Sequence, residues 1–499
     1  MADSKVAPGA TPPPLSSIPI PLRPRKSSTG QTILFALWFN ICIFLLHTIQ
    51  WLGQPLRFFP STKSRYHSLI EWTKGAFGKV LVSMTQFFAP SDLIVSFRDA
   101  EGNLIDPHQF AELDEEGFVR KLNLPKRSIW ISNHQVYTDW LYLWILAYFC
   151  NFEESIIIIM KESLKWVPIV GIAMQFFDFI FLARAWAKDK ITLSRQLTKL
   201  AQNSHMRSNP LMLLIYPEGT LVSKLTRPLS KKYADKMGIE DCRNLLLPRS
   251  TGLIYCARTL KKEIEDLKVV DVTIGYPGIP VDGYGQSYYT LQTIYMQGVP
   301  PPAVHISITL RSISAKGSAA DGSTMPIGDI TAGTPKPALT SDAGVAGEAE
   351  KAREEDTEIT DEANDEERDI FEAWLLERWR EKDRLMDEFY ENGDFLQGRF
   401  SGDESAAGGY YREPKMLDAK REQGDGKKYY LTVKTRVKTL AHIGDCLGWF
   451  IPVILGWMLW KLTSFGGSAP TSTGASVAST LASTVRTVVS STASSAAEL

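Results

Sequence analysis

The sequence predicts an α/β protein with a central, largely parallel sheet flanked by helices, an N-terminal transmembrane helix and a possible C-terminal hydrophobic segment. First, short runs rich in Val, Ile, Leu and Phe recur at 93–97, 128–132, 155–160, 179–182, 211–216, 269–275 and 305–310. Second, helical stretches separate several of them, and strands alternating with helices build a sheet covered on both faces, with chemistry at the strand ends. Third, residues 32–52 form a stretch of 21 without a formal charge. As a helix it would run about 31 Å, enough to cross a hydrocarbon core.

Taken in order, residues 1–30 are rich in Pro, Ser and Lys/Arg and read as disordered. The anchor follows at 31–56. A cleavable signal peptide is the competing reading, but the apolar run starts far from Met1, is too long, and ends in Leu52, Gly53, Gln54 and Pro55, a poor cleavage site. Its orientation stays open, because Arg23, Arg25 and Lys26 before it are matched by Arg57, Lys63 and Arg65 after it. Residues 57–91 mix aromatics with Lys and Arg and read as interfacial helices. The α/β domain spans 92–311. Within it, 166–183 carries one charge, Asp178, and Pro168 and Gly171 make it a buried or membrane-grazing element rather than a second span. An unstructured insertion, acidic towards its end, is expected at 312–365 and a helical or α+β extension at 366–440, with Phe371, Trp374, Leu375, Trp379 and Phe389 near helical spacing. A hydrophobic segment at 446–462 and a disordered Ser/Thr tail at 466–499 close the reading.

The 55 basic and 56 acidic residues nearly cancel, so no global field argues for nucleic acid. The five cysteines contain no CxxC pair, which fits thiols in a reducing compartment. No Asn-x-Ser/Thr sequon occurs, in keeping with a cytosol-facing body.

Residues 128–144 read SIWISNHQVYTDWLYLW. An apolar strand ends in Asn133 and His134, and Asp139 opens an aromatic-rich helix with Thr138 as its expected N-cap. A hydroxyl nucleophile needs a base at neutral pH. Imidazole is the side chain that titrates there, and a carboxylate on its other nitrogen fixes the tautomer. Positions i and i+5 lie about 140° apart on a helix, which places His134 in the turn and Asp139 in the first helical turn. Alone, such a pair is as well read as a surface histidine beside a capping aspartate.

Arg184 follows another apolar run, where a guanidinium can pair with a phosphate. In LMLLIYPEGT (211–220) a buried strand runs into Pro217, Glu218, Gly219 and Thr220. Glycine there lets backbone approach a ligand, and exposed amides and the Thr220 hydroxyl suit an oxyanion or phosphate. Glu218 is expected to bond an acceptor hydroxyl or to orient Arg184. Pro248 and Arg249 follow a further apolar run in LLLPRSTGL.

In this order the four blocks NHQVYTD, FLARAWAKD, YPEGT and LLLPRSTGL resemble the PlsC-type glycerolipid acyltransferase family, over residues 92–310. The Arg-x-Trp-x-x-Asp at 184–189 and the later FEAWLLERWREKDRLMDEFY look like the branch holding eukaryotic 1-acylglycerol-3-phosphate, lysocardiolipin and lysophosphatidylinositol acyltransferases. The long insertion and tail are not family features. The resemblance implies that His134 takes the proton from a lysophospholipid hydroxyl while Asp139 orients it. Amides near the catalytic turn or Gly219 would hold the oxyanion. Arg184, Glu218, Gly219 and Thr220 would hold the acceptor's phosphate end, supported by Asn133, Pro217, Pro248 and Arg249.

Acyl-CoA is the implied co-substrate and membrane lipids the partners; no metal and no nucleic acid are implied. The first expectation is acylation of the sn-2 hydroxyl of 1-acyl-sn-glycerol-3-phosphate to phosphatidic acid, in the endoplasmic reticulum membrane. Lysophosphatidylinositol or monolysocardiolipin, with a mitochondrial membrane, are the alternatives. A membrane scaffold and a soluble thioester hydrolase are the rival classes.

Overall fold

The computed structural model describes residues 13–23, 29–167, 170–207, 209–314, 322–330, 363–396, 429–447 and 450. The remainder of the N-terminal tail, most of the 312–365 insertion, all of 446–462 beyond 446, 447 and 450, and the Ser/Thr tail lie outside the described residues.

The chain enters the domain through helix α1 (Thr29–Leu52), α2 (Lys63–Phe88) and strand β1 (Asp92–Arg98). Strands β2 (Leu104–Ile105), β3 (Ala111–Leu113) and β4 (Val119–Leu122) precede β5 (Arg127–Ser132) and α3 (Asp139–Phe149). Next come β6 (Ile156–Lys161), α4 (Val170–Phe176), β7 (Ile180–Leu182), α5 (Trp186–Arg207), β8 (Leu211–Ile215), α6 (Arg227–Met237) and α7 (Thr251–Glu263). Strands β9 (Lys268–Gly275), β10 (Ala303–Ser314) and β11 (Thr324–Pro326), helix α8 (Asp365–Asn392), β12 (Leu431–Val433) and α9 (Leu440–Leu447) complete the order.

The main sheet runs β12-β1-β10-β9-β5-β8-β6-β7, with β2 on β1 and β11 on β10. Strands β9, β5, β8, β6 and β7 are parallel neighbours, so their carboxyl ends share one edge. The β9–β10 and β1–β12 pairs are antiparallel. Every residue of β8 is buried, as a strand covered on both faces requires. Alternation sorts the strand side chains into two cores. Trp130, Ile156, Ile158, Met212, Leu214, Val270 and Val272 pack with α2 and α3. Ile129, Ile131, Ile157, Leu211, Leu213 and Val269 pack with α5, α7 and α8.

Several expectations change. Residues 57–91 hold one long helix after two short 3-10 turns, and α2 is buried over most of its second half rather than interfacial. Its Gly78 allows the approach: a Cβ there would lie 2.9 Å from Trp144 Nε1. The run 166–183 is no single element; it breaks into α4 and β7, with Asp178 between them at φ +58°. Part of the N-terminal tail is ordered, with 3-10 turns at Leu15–Ser17 and Ile20–Leu22, and Arg23 Nη2 donates to Tyr288 O at 2.5 Å. Within the expected insertion, β11 pairs with β10 through Ser312–Thr324, Ile313–Met325 and Ser314–Pro326.

Among the described residues α1 is the one helix long and apolar enough to cross a membrane. It packs on α2, and Leu45, Leu46 and Ile49 are buried, while Ile33, Leu34, Leu37, Ile41, Phe44 and Trp51 stay exposed as a stripe at helical spacing.

Candidate active site

Because the parallel strands end on one edge, the segments leaving β5, β7, β8 and β9 meet there. These are the segments that carry His134, Arg184, Glu218 and Tyr276.

The turn after β5 is held from several sides. Asn133 continues the β5–β9 ladder with its side chain: Nδ2 donates to Ile274 O at 3.0 Å and Oδ1 accepts from Ile274 N at 2.8 Å. His134 Nδ1 lies 2.8 Å from Asp139 Oδ2. That carboxylate is fully buried and also accepts from Gln135 N at 2.7 Å and Val136 N at 3.1 Å, while its Oδ1 accepts from the Tyr276 hydroxyl at 2.6 Å. Four donors on one carboxylate leave it acceptor-only, so Nδ1 carries the ring proton and Nε2 is the free base. The ring stacks on Tyr216, centroids 4.2 Å apart, and is 19% exposed. A base with one nitrogen pinned and the other reachable is what proton abstraction requires.

Thr138 precedes α3 as expected but does not cap it: its hydroxyl makes no cap bond, and Oγ1 is buried without a partner among the described residues. Asp139, the first residue of the helix, holds instead the turn before it by accepting from the amides of Gln135 and Val136.

Glu218 also sits elsewhere than expected. It is buried, with Oε1 accepting from His134 N at 3.0 Å and Oε2 from Leu246 N at 3.2 Å. Burial pushes its carboxyl up to about 8 against the pull of those amides. It is a brace between the catalytic turn and the loop before Pro248, not a ligand for the acceptor or for Arg184. Gly219 N donates to Tyr216 O at 2.9 Å, so this amide and those of residues 134–136 are spoken for within the protein and do not form an oxyanion hole.

Arg184 is exposed, at a left-handed φ of +64°, which a non-glycine residue adopts only when the surroundings impose it. Asp189 imposes it, accepting from Ala183 N at 2.7 Å and Ala185 N at 2.9 Å. The guanidinium reaches Gly219 O at 2.5 Å, and Gly219 has φ +69°, where a side chain would be strained. Arg249 stands against the same glycine, its Nε 3.6 Å from where a Cβ would lie, and its backbone N donates to Pro217 O at 2.8 Å. Burial and the neighbouring Arg249 charge both lower the Arg184 pKa. Two exposed cations thus converge on one turn, with Thr220 half-buried beside it and Pro248 preceding Arg249.

An apolar cleft lies between α1, α2, α3, α4 and β6. Leu46, Phe77, Trp140, Trp144, Met174 and Phe179 are among its walls. Trp140 directly follows Asp139, so the cavity begins on the helix that carries the carboxylate.

Tyr216 and Tyr276 were not singled out from the sequence. Each is the first residue past a strand on the shared edge, in the repeated pattern apolar strand, Tyr, Pro, which is the signal that marks them.

A pinned histidine, a pair of arginines on one turn and an apolar cleft on the carboxyl edge of a parallel sheet are the parts of an enzyme-type site: a base, cations that suit an anion, and an apolar wall. The part of the chain that holds this site is an acyltransferase domain of the PlsC type. Residues 118–277 match the acyltransferase family and residues 362–419 the acyltransferase C-terminus family. The chain is 34% identical over 303 residues to the 2-acyl-1-lysophosphatidylinositol acyltransferase of Saccharomyces cerevisiae, covering 55% of this chain and 64% of that one. It is 29% identical to lysocardiolipin acyltransferase 1 of Danio rerio, covering 58% of each chain. It is 28% identical to the probable 1-acyl-sn-glycerol-3-phosphate acyltransferase 5 of Arabidopsis thaliana, over 55% of this chain and 56% of that one. The chain therefore spans less than two thirds of the length of these three relatives. No solved structure matches it.

Proposed function

We propose that this protein transfers a fatty acyl group from acyl-CoA to the free hydroxyl of a lysophospholipid at a membrane surface. The observation that carries the reading is His134 Nδ1 on the buried Asp139 carboxylate, with Nε2 left to a substrate. Nε2 removes the acceptor's hydroxyl proton as that oxygen attacks the thioester carbonyl. The new C–O bond forms and the C–S bond breaks. The proton passes from Nε2 to the departing CoA sulfur, giving the ester and CoA thiol. No covalent acyl-enzyme is needed.

Arg184 and Arg249 bind the acceptor's phosphate, each contributing charge-assisted hydrogen bonds. The apolar cavity takes a fatty chain, with Trp140 at its start. The exposed stripe of α1 faces lipid, so both amphiphilic substrates reach the site from the leaflet rather than from solution. Endoplasmic reticulum is the proposed membrane.

For the head group we put lysophosphatidylinositol first, because the yeast relative carrying that name aligns at 34% identity. With a 2-acyl acceptor the reacting hydroxyl is at sn-1. Lysophosphatidic acid, the first expectation from the sequence, is the second reading: two guanidiniums match the charge of a phosphate monoester, and there the hydroxyl is at sn-2.

The test is purified protein in lipid discs with labelled acyl-CoA and a panel of lysophospholipids, wild type against His134→Ala. Diacyl product from the wild type and a loss of about 10²–10⁴-fold in the variant are expected. Free fatty acid as the main product, or transfer by the variant close to wild type, overturns the reading.

A further inference from the structure

We propose that helix α8, the C-terminal extension, positions the base, and that Asp383 and Tyr390 on it are positioning residues for His134. This rests on the acyl-transfer reading above. Although α8 lies some 250 residues further along the chain, it touches the catalytic turn at one remove by two routes.

Tyr390 makes the shorter route. Its hydroxyl accepts from Gln135 Nε2 at 2.8 Å, and Gln135 is the residue after the base, whose own N–H is held by Asp139. Gln135 is buried, and its Oε1 has no partner among the described residues, so Tyr390 is the contact through which its side chain is held.

Asp383 makes the longer route. Its carboxylate accepts from the backbone of three successive residues: Arg243 N at 2.7 Å, Asn244 N at 2.7 Å and Leu245 N at 3.2 Å. Asn244 Nδ2 ties back to Asp383 O at 3.1 Å and Asp387 Oδ1 at 3.0 Å. The next residue, Leu246, gives its N–H to Glu218, and Glu218 holds the His134 amide. The path runs Asp383, loop 243–246, Glu218, His134, with a hydrogen bond at every joint but the covalent loop.

The helix can bear on the turn because it is itself fixed. Lys382 is buried and ion-paired with Asp271 of β9, Arg311 Nε reaches the same carboxylate at 2.9 Å, and Arg311 and Arg378 share Glu381 at 3.2 and 2.9 Å. Phe371, Trp374, Leu375, Trp379, Met386 and Phe389 bury the same side of the helix. Such a bonded shell is what holds a reactive group to a fraction of an ångström, and misplacement of that size affects turnover more than binding.

The experiment compares Tyr390→Phe and Asp383→Asn with Glu367→Gln, which disturbs the start of α8, where Glu367 closes the capping box with Asn364, far from the turn. Steady-state kinetics in lipid discs are run below the unfolding temperature of every variant, followed by tryptophan fluorescence. We expect kcat to fall about tenfold for Tyr390→Phe and about a hundredfold for Asp383→Asn, with KM for acyl-CoA and for the acceptor both within about threefold. Glu367→Gln should keep kcat while lowering the unfolding temperature. Wild-type kcat in both test variants, a change confined to KM, or an equal kcat loss in Glu367→Gln overturns the proposal. If Asp383→Asn does not accumulate, Tyr390→Phe, which removes one oxygen and keeps the ring, decides alone. Failure of the acyl-transfer reading is seen separately, as an inert wild type or an active His134→Ala.

Discussion

The turn after β5 and the turn after β7 are built on one device and put to different uses. In each, a functional residue is followed five positions later by an aspartate in the first turn of the next helix, His134 by Asp139 and Arg184 by Asp189. Each aspartate collects two backbone amides of the preceding turn: Gln135 and Val136 in the first, Ala183 and Ala185 in the second. They part at the side chain. Asp139 also takes the His134 ring nitrogen at 2.8 Å and the Tyr276 hydroxyl at 2.6 Å, and is fully buried. Asp189 fixes only the backbone of its arginine, whose guanidinium extends to Gly219 O. A base must have its tautomer and direction fixed, whereas an anion binder needs a fixed root and a free end. The same spacing serves both because what it secures first is the turn.

The comparison breaks most visibly at Asp139. Asp139→Asn keeps the shape but replaces an acceptor-only carboxylate with an amide that cannot accept from all four donors, so the wrong tautomer of His134 is favoured. A drop in kcat of about 10³–10⁴-fold is expected in single-turnover acyl transfer, with the acceptor's apparent affinity little changed. A loss below about tenfold would mean the carboxylate does not govern the imidazole.

At the second turn the effect moves to binding. Arg184→Ala should raise the acceptor KM by about 10–100-fold, the worth of a lost charge-assisted contact, while kcat falls by no more than about threefold. Arg249→Ala should act in the same direction, and the double variant should exceed either one. An unchanged KM in the double variant removes the phosphate role from both. Asp189→Asn tests the device itself. Its amide can keep one of the two backbone bonds and loses the other, so the strained Arg184 turn loosens and the acceptor KM should rise about 3–10-fold, less than on removing the guanidinium. If Asp189→Asn instead lowers kcat as Asp139→Asn does, the two turns are not doing separate jobs.

The parts legible in the sequence were those encoded within a dozen residues. The continuous apolar run marked β8, since a strand covered on both faces has no polar side to interrupt it, while β5 keeps Ile129–Ile131 apolar and β9 carries the buried Asp271 and Thr273 among its Val and Ile residues. The four blocks marked the segments that leave the carboxyl edge. The hairpin β3–β4 was missed because its charged residues Glu112 and Arg120 and the exposed Leu113 hide the alternation. Glu218 was misassigned for a related reason: its partners, the amides of His134 and Leu246, are 84 and 28 residues away, and no local pattern distinguishes a buried brace from an exposed ligand. The contacts of Asp383 and Tyr390 span 138 to 255 residues, beyond any helical or strand period. A helix at 369–390 could be read from spacing, but not which turn it supports.

The smallest expected effect sharpens the same contrast. Read from sequence, Thr138 is an N-cap, and losing a cap costs about 0.5–2 kcal/mol. In the structure its Oγ1 is buried without a partner among the described residues, and the turn before the helix is held by Asp139 through the amides of Gln135 and Val136. Removing an unsatisfied buried hydroxyl in favour of a methyl of the same shape is nearly neutral or slightly stabilising. Thr138→Val should therefore leave the unfolding free energy within about 0.5 kcal/mol of wild type or raise it. It should leave kcat unchanged as well, because the turn hangs on the aspartate. A loss of more than about 1 kcal/mol would restore Thr138 as the cap, and the start of α3 would then depend on the threonine as well as on the turn that Asp139 holds.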